Sequence, residues 1–396
     1  MEFITAAEVA RRWGVSERRV QRLCADGRVP GAERFGRAWR IPAAAPKPDD
    51  PRRAAGAATP APALPPNAVL MPLMSTSFSP GTAAAHVASL DSGPRRDIAA
   101  AELAYFTGRP EDAVKRAAPH MGSDDLGTRL SACLICAYAN LPLGRIDRAL
   151  AALEGARGAV ARASESDPRL SAAEGFIAQA ASVLLHLPAP DATPDPRDVL
   201  PLLPPGLRAF ACYVQAHAVY LTGDHARSLG IAQTALVMQG QAYPIPTIYL
   251  HLVAVMDLMS LRRSDEAREH LLAAWELARP DDLIEPFGEH HGLLGGMLEA
   301  VIKPAWPEDF KRIIDITYRF SAGWRRVHNP ATGEDVADNL TTTEFAVSML
   351  AARGWTNQEI AEHLGVSANT VKSYISSSLG KLGIARRKNL ERFMLA

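Results

Sequence analysis

Apolar residues recur at helical spacing along most of the chain and alternate almost nowhere, which predicts a mainly α protein. Near the C-terminus, Ile360, Ala361 and Leu364 share one helix face; after a break, Val371, Ile375, Leu379 and Leu382 share another. Thr356 and Glu359 stand at capping-box spacing, Gly365 suits a left-handed helix end, and Ser367 can cap the helix that follows. The pattern predicts helix, tight turn, helix. Thr341 and Glu344 open an earlier helix ending near Gly354, and Leu390, Phe393 and Met394 make the stripe of a short helix after Gly383. The N-terminus repeats this grammar. "TAAEVARRWGVSERRV" (5–20) shares seven of sixteen positions with "TNQEIAEHLGVSANTV" (356–371). Thr5 and Glu8 form its capping box, Gly14 ends the first helix and Ser16 caps the second. Gly36 then sits between short runs holding Phe35 and Trp39, which predicts a small β-hairpin ending at Pro42.

The middle is helical, with an internal period. "GRPEDAV" (108–114), "GRIDRAL" (144–150), "GDHARSL" (223–229) and "RRSDEAR" (262–268) place Ala113, Ala149, Ser228 and Ala267 at spacings of 36, 79 and 39. The long interval fits two repeats, with a degenerate unit around "FIAQAASVLLHLP" and the Pro-rich loop after it. Helix pairs at this period predict a tetratricopeptide-like α-solenoid. Between the N-terminal module and the array, residues 43–80 are rich in Ala and Pro and lack periodicity, as a linker does. The expected domains are 1–53, a linker over 54–94, the array over 95–335, and the C-terminal module over 336–396.

Charge sharpens this division. Formal net charge is zero, yet residues 1–53 carry 12 Lys/Arg against 7 Asp/Glu and residues 340–396 carry 7 against 4. Residues 54–339 carry 24 against 32. Both ends suit a polyanion and the middle does not. The second helix of the C-terminal pair presents Asn369, Lys372, Ser373 and Ser376 opposite its apolar stripe, and that of the N-terminal pair presents Arg18, Gln21 and Arg22. Short polar and basic side chains on such a helix suit the donors and acceptors of the DNA major groove.

The run "LTTTEFAVSMLAARGWTNQEIAEHLGVSANTVKSYISSSLGKLGIARRKNL" closely resembles the LuxR/GerE-type DNA-binding domain. The resemblance implies four helices, the third reading the major groove and the fourth often forming a dimer contact, here through Leu390, Phe393 and Met394. It implies Lys372, Ser373 and Ser376 as base-facing residues and Thr356, Asn357, Thr370 and Lys381 as phosphate contacts. Thr343 and Tyr374 depart from the family's usual Arg and His. Residues 2–42 resemble an excisionase/MerR-like winged helix-turn-helix, which implies Arg37 and Arg40 as wing residues that touch backbone or minor groove; Arg19 stands where Thr is common. The whole is similar to LuxR-type regulators with helical arrays.

Other chemistry is weak. No GxxxxGK[ST] run occurs. "EHH" (289–291) points adjacent side chains apart on a helix and is set aside as a metal site. Cys133 and Cys136 lie on an apolar helical stretch with no second pair, as core residues do. Tyr105, Tyr138, Tyr213, Tyr220, Tyr249 and Trp275 could line a pocket, but their helical spacing favours core. No signal peptide or membrane span is read, and no nucleophile–base constellation, so neither enzyme nor cofactor is expected. The reading is a cytoplasmic DNA-binding regulator whose partners are double-stranded DNA, a second copy of the chain, RNA polymerase, and an unknown ligand or protein on the array. The rival is an interaction scaffold with the N-terminal module as an autoinhibitory latch.

Overall fold

The structure is a computed structural model that describes residues 3–36, 38–48, 70–165, 171–187, 190, 194–332 and 340–394. The chain falls into two compact units, Met1–Pro62 and Ala63–Ala396.

In the first unit, α1 (Ala6–Trp13) and α2 (Glu17–Ala25) pack through Val9, Ala10, Trp13, Val20 and Cys24. Both halves of the Thr5/Glu8 capping box are made, and Gly14 is left-handed at φ 64°. Ser16 occupies the cap of α2 but makes no side-chain cap bond, unlike the sequence expectation. The hairpin of β2 (Glu33–Phe35) and β3 (Ala38–Pro42) turns at Gly36. A third strand was not foreseen: β1 (Phe3–Thr5) pairs antiparallel with β3, with Ile4 opposite Ile41. Ile41 is fully buried beneath the helices, so β1 anchors the wing to the core.

The second unit is helical. Its hairpins are α4/α5 (Pro94–Phe106, Pro110–Ala117), α6/α7 (Leu126–Asn140, Ile146–Ser164), α9/α10 (Pro205–Leu221, His225–Met238) and α11/α12 (Pro244–Ser260, Ser264–Ala278), with α8 (Ser171–Leu185) between the second and third. The four repeated segments are the four hairpin bends. Each bend has one left-handed residue, Gly108, Gly144, Gly223 and Arg262, at φ 61–80°. Ala113, Ala149, Ser228 and Ala267 are the small residues buried where each return helix meets its partner. The degenerate unit falls on α8, whose end is marked by His186 at φ 49° and which is followed by a one-turn helix (Pro196–Val199).

The linker expected over 54–94 extends too far. Leu70, Met71, Leu73 and Met74 are buried in the core, and α3 (Ala83–Ser89) follows. The cause is hydrogen bonding that composition does not reveal. The Glu102 carboxylate accepts the backbone N–H groups of Leu73 (2.8 Å) and Met74 (3.0 Å), and Asp281 accepts those of Gly81 and Ala83.

After α12 come α13 (Glu285–His290) and the long α14 (Pro307–Thr332). The C-terminal helices are α15 (Thr342–Ala352), α16 (Asn357–Leu364), α17 (Ala368–Lys381) and the short α18 (Glu391–Met394). One hydrophobic cluster runs from Leu70 to Met394. The C-terminal module therefore packs against the array: Phe345 covers Gly292, Leu364 covers Gly296, and Arg353 donates to the Tyr220 hydroxyl (2.8 Å) and the Leu293 carbonyl (3.0 Å).

Candidate nucleic-acid interface

The C-terminal helix pair is set by its caps. Thr356 and Glu359 exchange both capping-box bonds, Gly365 is left-handed at φ 65°, and the Ser367 hydroxyl accepts the Thr370 N–H. Val371 and Ile375 are buried, which fixes the roll of α17. Asn369, Lys372, Ser373 and Ser376 are consequently exposed together on its outer face. The residues expected to face bases thus lie in one exposed strip.

The residues expected at phosphates are already engaged within the domain. Lys381 bridges to Glu344 (2.6 Å), which also accepts from Ser377 (2.7 Å). Burial pushes the Glu344 carboxyl up, but bonds from Lys381, Ser377 and Thr341 outweigh it and hold the group at about 2. Asn357 accepts from Arg387, which also donates to the Trp355 carbonyl. Thr356 is exposed with its hydroxyl in the capping box, and the hydroxyls of Thr370 and Ser367 lie 2.8 Å apart. Leu390, Phe393 and Met394 do not form an exposed dimer face. Leu390 is fully buried, Met394 nearly so, and Phe393 packs on the core, because the last helix turns its apolar stripe onto α15.

On the N-terminal unit, Arg18, Gln21 and Arg22 share the exposed face of α2. Gln21 donates to Glu17 (3.1 Å) and Arg22 lies 4.0 Å from Asp26. Arg40 sits over the rings of Phe3 (4.7 Å) and Phe35 (5.7 Å), and Phe35 is 71% exposed at the wing. Arg37 lies outside the described residues.

Residues 338–394 match the family described as bacterial regulatory proteins, luxR family. The C-terminal module is a luxR-family helix-turn-helix domain. Residues 3–45 match a family described as helix-turn-helix domain. Over 53 residues the chain is 40% identical to the probable transcriptional regulatory protein SgaR of Hyphomicrobium methylovorum. That likeness covers 13% of this chain and 25% of that protein, so the chain spans about a quarter of the curated relative's length. No solved structure matches the chain. Among the described residues, no helix is long and apolar enough to cross a membrane.

Sequence reasoning missed a second feature. A cavity of about 1000 Å³ lies between the array and the luxR-type domain, walled by Tyr105, Tyr138, Phe210, Tyr249, Glu289 and Trp324 among others. Leu340, Phe345, Met349, Arg353, Phe393 and Met394 supply the wall on the DNA-binding side. Four of the six aromatics read as core, Tyr105, Tyr138, Tyr220 and Tyr249, line this cavity; Tyr213 and Trp275 are buried and do not line it. The three residues of "EHH" do diverge, but with separate partners. Glu289 accepts from Tyr105 and Tyr249, His290 lies 2.7 Å from the Tyr213 hydroxyl, and His291 lies 2.8 Å from Glu299. The available signal was that Glu289 and the tyrosines all fall on inward helix faces, yet periodicity does not distinguish a filled interior from a hollow one. Cys133 and Cys136 are buried in α6, and burial pushes the Cys136 thiol up to about 12.

Proposed function

We propose that the protein is a bacterial transcription regulator that reads promoter DNA through α17 in the major groove and makes a second DNA contact through its N-terminal helix-turn-helix. The observation that carries this reading is the strip of Asn369, Lys372, Ser373 and Ser376, held outward on a capped luxR-family helix-turn-helix. Two readers on one chain combine modest affinities by raising effective concentration. The helical middle is the sensor, and a small molecule in its cavity would touch both the array and the DNA-binding domain. Homodimerisation through Leu390, Phe393 and Met394 would require Phe393 and Met394 to leave the cavity wall and Leu390 to leave the core, which couples assembly to cavity occupancy. RNA polymerase is the partner such a regulator would contact at a promoter.

The test is fluorescence anisotropy of the full chain on genomic promoter fragments across a salt series. A Lys372→Ala/Ser376→Ala variant should lose specific binding. An Arg18→Ala/Arg22→Ala variant should weaken binding to all fragments and flatten the log-salt slope by about one for each phosphate it no longer neutralises. Unchanged binding of the first variant would overturn α17 as the reader. Tighter binding of the second would instead favour the N-terminal module as an autoinhibitory latch.

A further inference from the structure

The cavity lining is mostly apolar, but its polar end is acidic. The Glu289 carboxylate reaches the surface of the cavity, accepting one short bond from the Tyr105 hydroxyl and one of 2.7 Å from Tyr249. A carboxylate offers roughly four acceptor positions, so the two tyrosines use about half. Burial pushes the Glu289 carboxyl up, and the groups that pull it back are the two hydroxyls, with no cation among them. One helical turn earlier, Glu285 is 1% exposed and neither of its carboxyl oxygens has a hydrogen-bond partner among the described residues; burial and Glu289 push its carboxyl up, and the Arg319 guanidinium pulls it back. Glu102 adds a third carboxyl to the lining, bound by the backbone of Leu73 and Met74. The cationic residues of the wall, Arg325 and Arg353, are not among the groups acting on Glu289. Arg353 donates through Nη2 to Tyr220 and Leu293, its buried Nε and Nη1 have no hydrogen-bond partner among the described residues, and its charge acts on the buried Asp257.

Aromatic rings surround this end. Tyr249 packs on Tyr213 at 4.9 Å and on Phe210 at 5.4 Å between centroids, and Tyr105 meets Phe106 at 5.2 Å. Ring faces attract a positive charge, more strongly where water is excluded. Burying the Glu289 carboxyl without a counter-ion is costly, and a cation delivered to its spare acceptor positions offsets that cost. A neutral ligand leaves it in place, and an anion adds to it.

Taking the sensor reading above as its basis, we infer that the cavity binds a lipophilic amine, its ammonium group seated on Glu289 between Tyr105 and Tyr249 and its apolar body lying along Leu134, Leu184 and Phe210. Glu289 sets the sign of charge accepted. The rest of the lining selects for size and apolarity.

Decylamine, decanol and decanoate share one skeleton and differ in the charge of one end. Isothermal titration of each, below its micellar concentration, into the full chain at neutral pH tests the assignment. Decylamine should bind at least about tenfold more tightly than decanol, a difference of about 1.4 kcal/mol, with decanoate weakest. In Glu289→Gln, decylamine and decanol should bind within about threefold of each other. The wild-type ranking stands as a test even where that variant fails to fold. Decanol or decanoate binding as tightly as decylamine would overturn the charge assignment and leave a sensor of another ligand class. An amine preference that survives in Glu289→Gln would overturn recognition through that residue. Binding by none of the three would overturn the sensor reading together with the inference.

Discussion

Glu344 closes a circuit of hydrogen bonds between the first and third helices of the luxR-type domain, and its chemistry gives a pH signature. Its folded carboxyl sits at about 2, below its ordinary 4.5, because Lys381, Ser377 and Thr341 together outweigh its burial. The stabilisation is complete above the ordinary value and is lost as pH falls through the window from about 4.5 to about 2. Glu344→Gln should therefore cost on the order of 2 kcal/mol at neutral pH, read by urea denaturation, and the gap to wild type should close toward pH 2. Lys372 answers to a different measurement. It is exposed on α17, so Lys372→Ala should leave the unfolding midpoint unchanged while weakening binding to a mapped site by about 1–3 kcal/mol. The strip containing Lys372 was legible in the sequence because a helix with a buried stripe of Val371 and Ile375 can present only one opposite face. Glu289 was not legible as a site. Its meaning depends on Tyr105 and Tyr249, 184 and 40 residues away in the chain, and no local pattern encodes that meeting.

Helices and turns were the most readable scale. Three capping boxes were legible at Thr5, Thr341 and Thr356, and all three are made, because their two bonds lie within four residues. The hairpin bends were legible for the same reason. What escaped were contacts closed over long distances: β1 on β3, the strap at 70–83 bound by Glu102 and Asp281, and the inward turn of Leu390 and Met394. Two glycines test how helix packing uses small residues. A Cβ on Gly323, within α14, would lie 1.9 Å from the Leu141 carbonyl oxygen, whereas one on Gly230, within α10, meets nothing within 4 Å. Gly323→Ala should destabilise the second unit by about 1–3 kcal/mol by forcing the two helices apart. Gly230→Ala should stabilise it by about 0.5–1 kcal/mol through helix propensity. Thermal denaturation of both variants decides whether α14 is held by backbone contact with the end of α6; equal shifts would refute it.

At the scale of the whole second unit, the luxR-type domain closes the cavity as well as presenting α17. Its α15 is buried on nearly every side, with Val347 and Leu350 fully buried and Phe345 against Gly292. A polar rim holds the seam: Arg262 reaches the Gly354 carbonyl and lies 3.3 Å from Glu359, and His363 lies 3.2 Å from the Gly295 carbonyl. A ligand filling the cavity would touch Phe345, Met349 and Phe393 directly, so its binding energy acts on this seam before it acts on α17. Gly292→Val tests whether the seam opens as a unit. A Cβ there already falls 2.6 Å from the Phe345 ring, so the larger side chain must displace α15. Hydrogen exchange should show weaker protection across 342–364, while α4 to α6, remote from the seam in sequence and packed by their own hairpin partners, keep theirs. Uniform loss of protection from α4 to α17 would mean that array and DNA-binding domain unfold together and that the cavity cannot open without unfolding the protein. Selective loss would make the seam the two-state element that a bound ligand biases, with operator affinity changing in the same variant as the second readout.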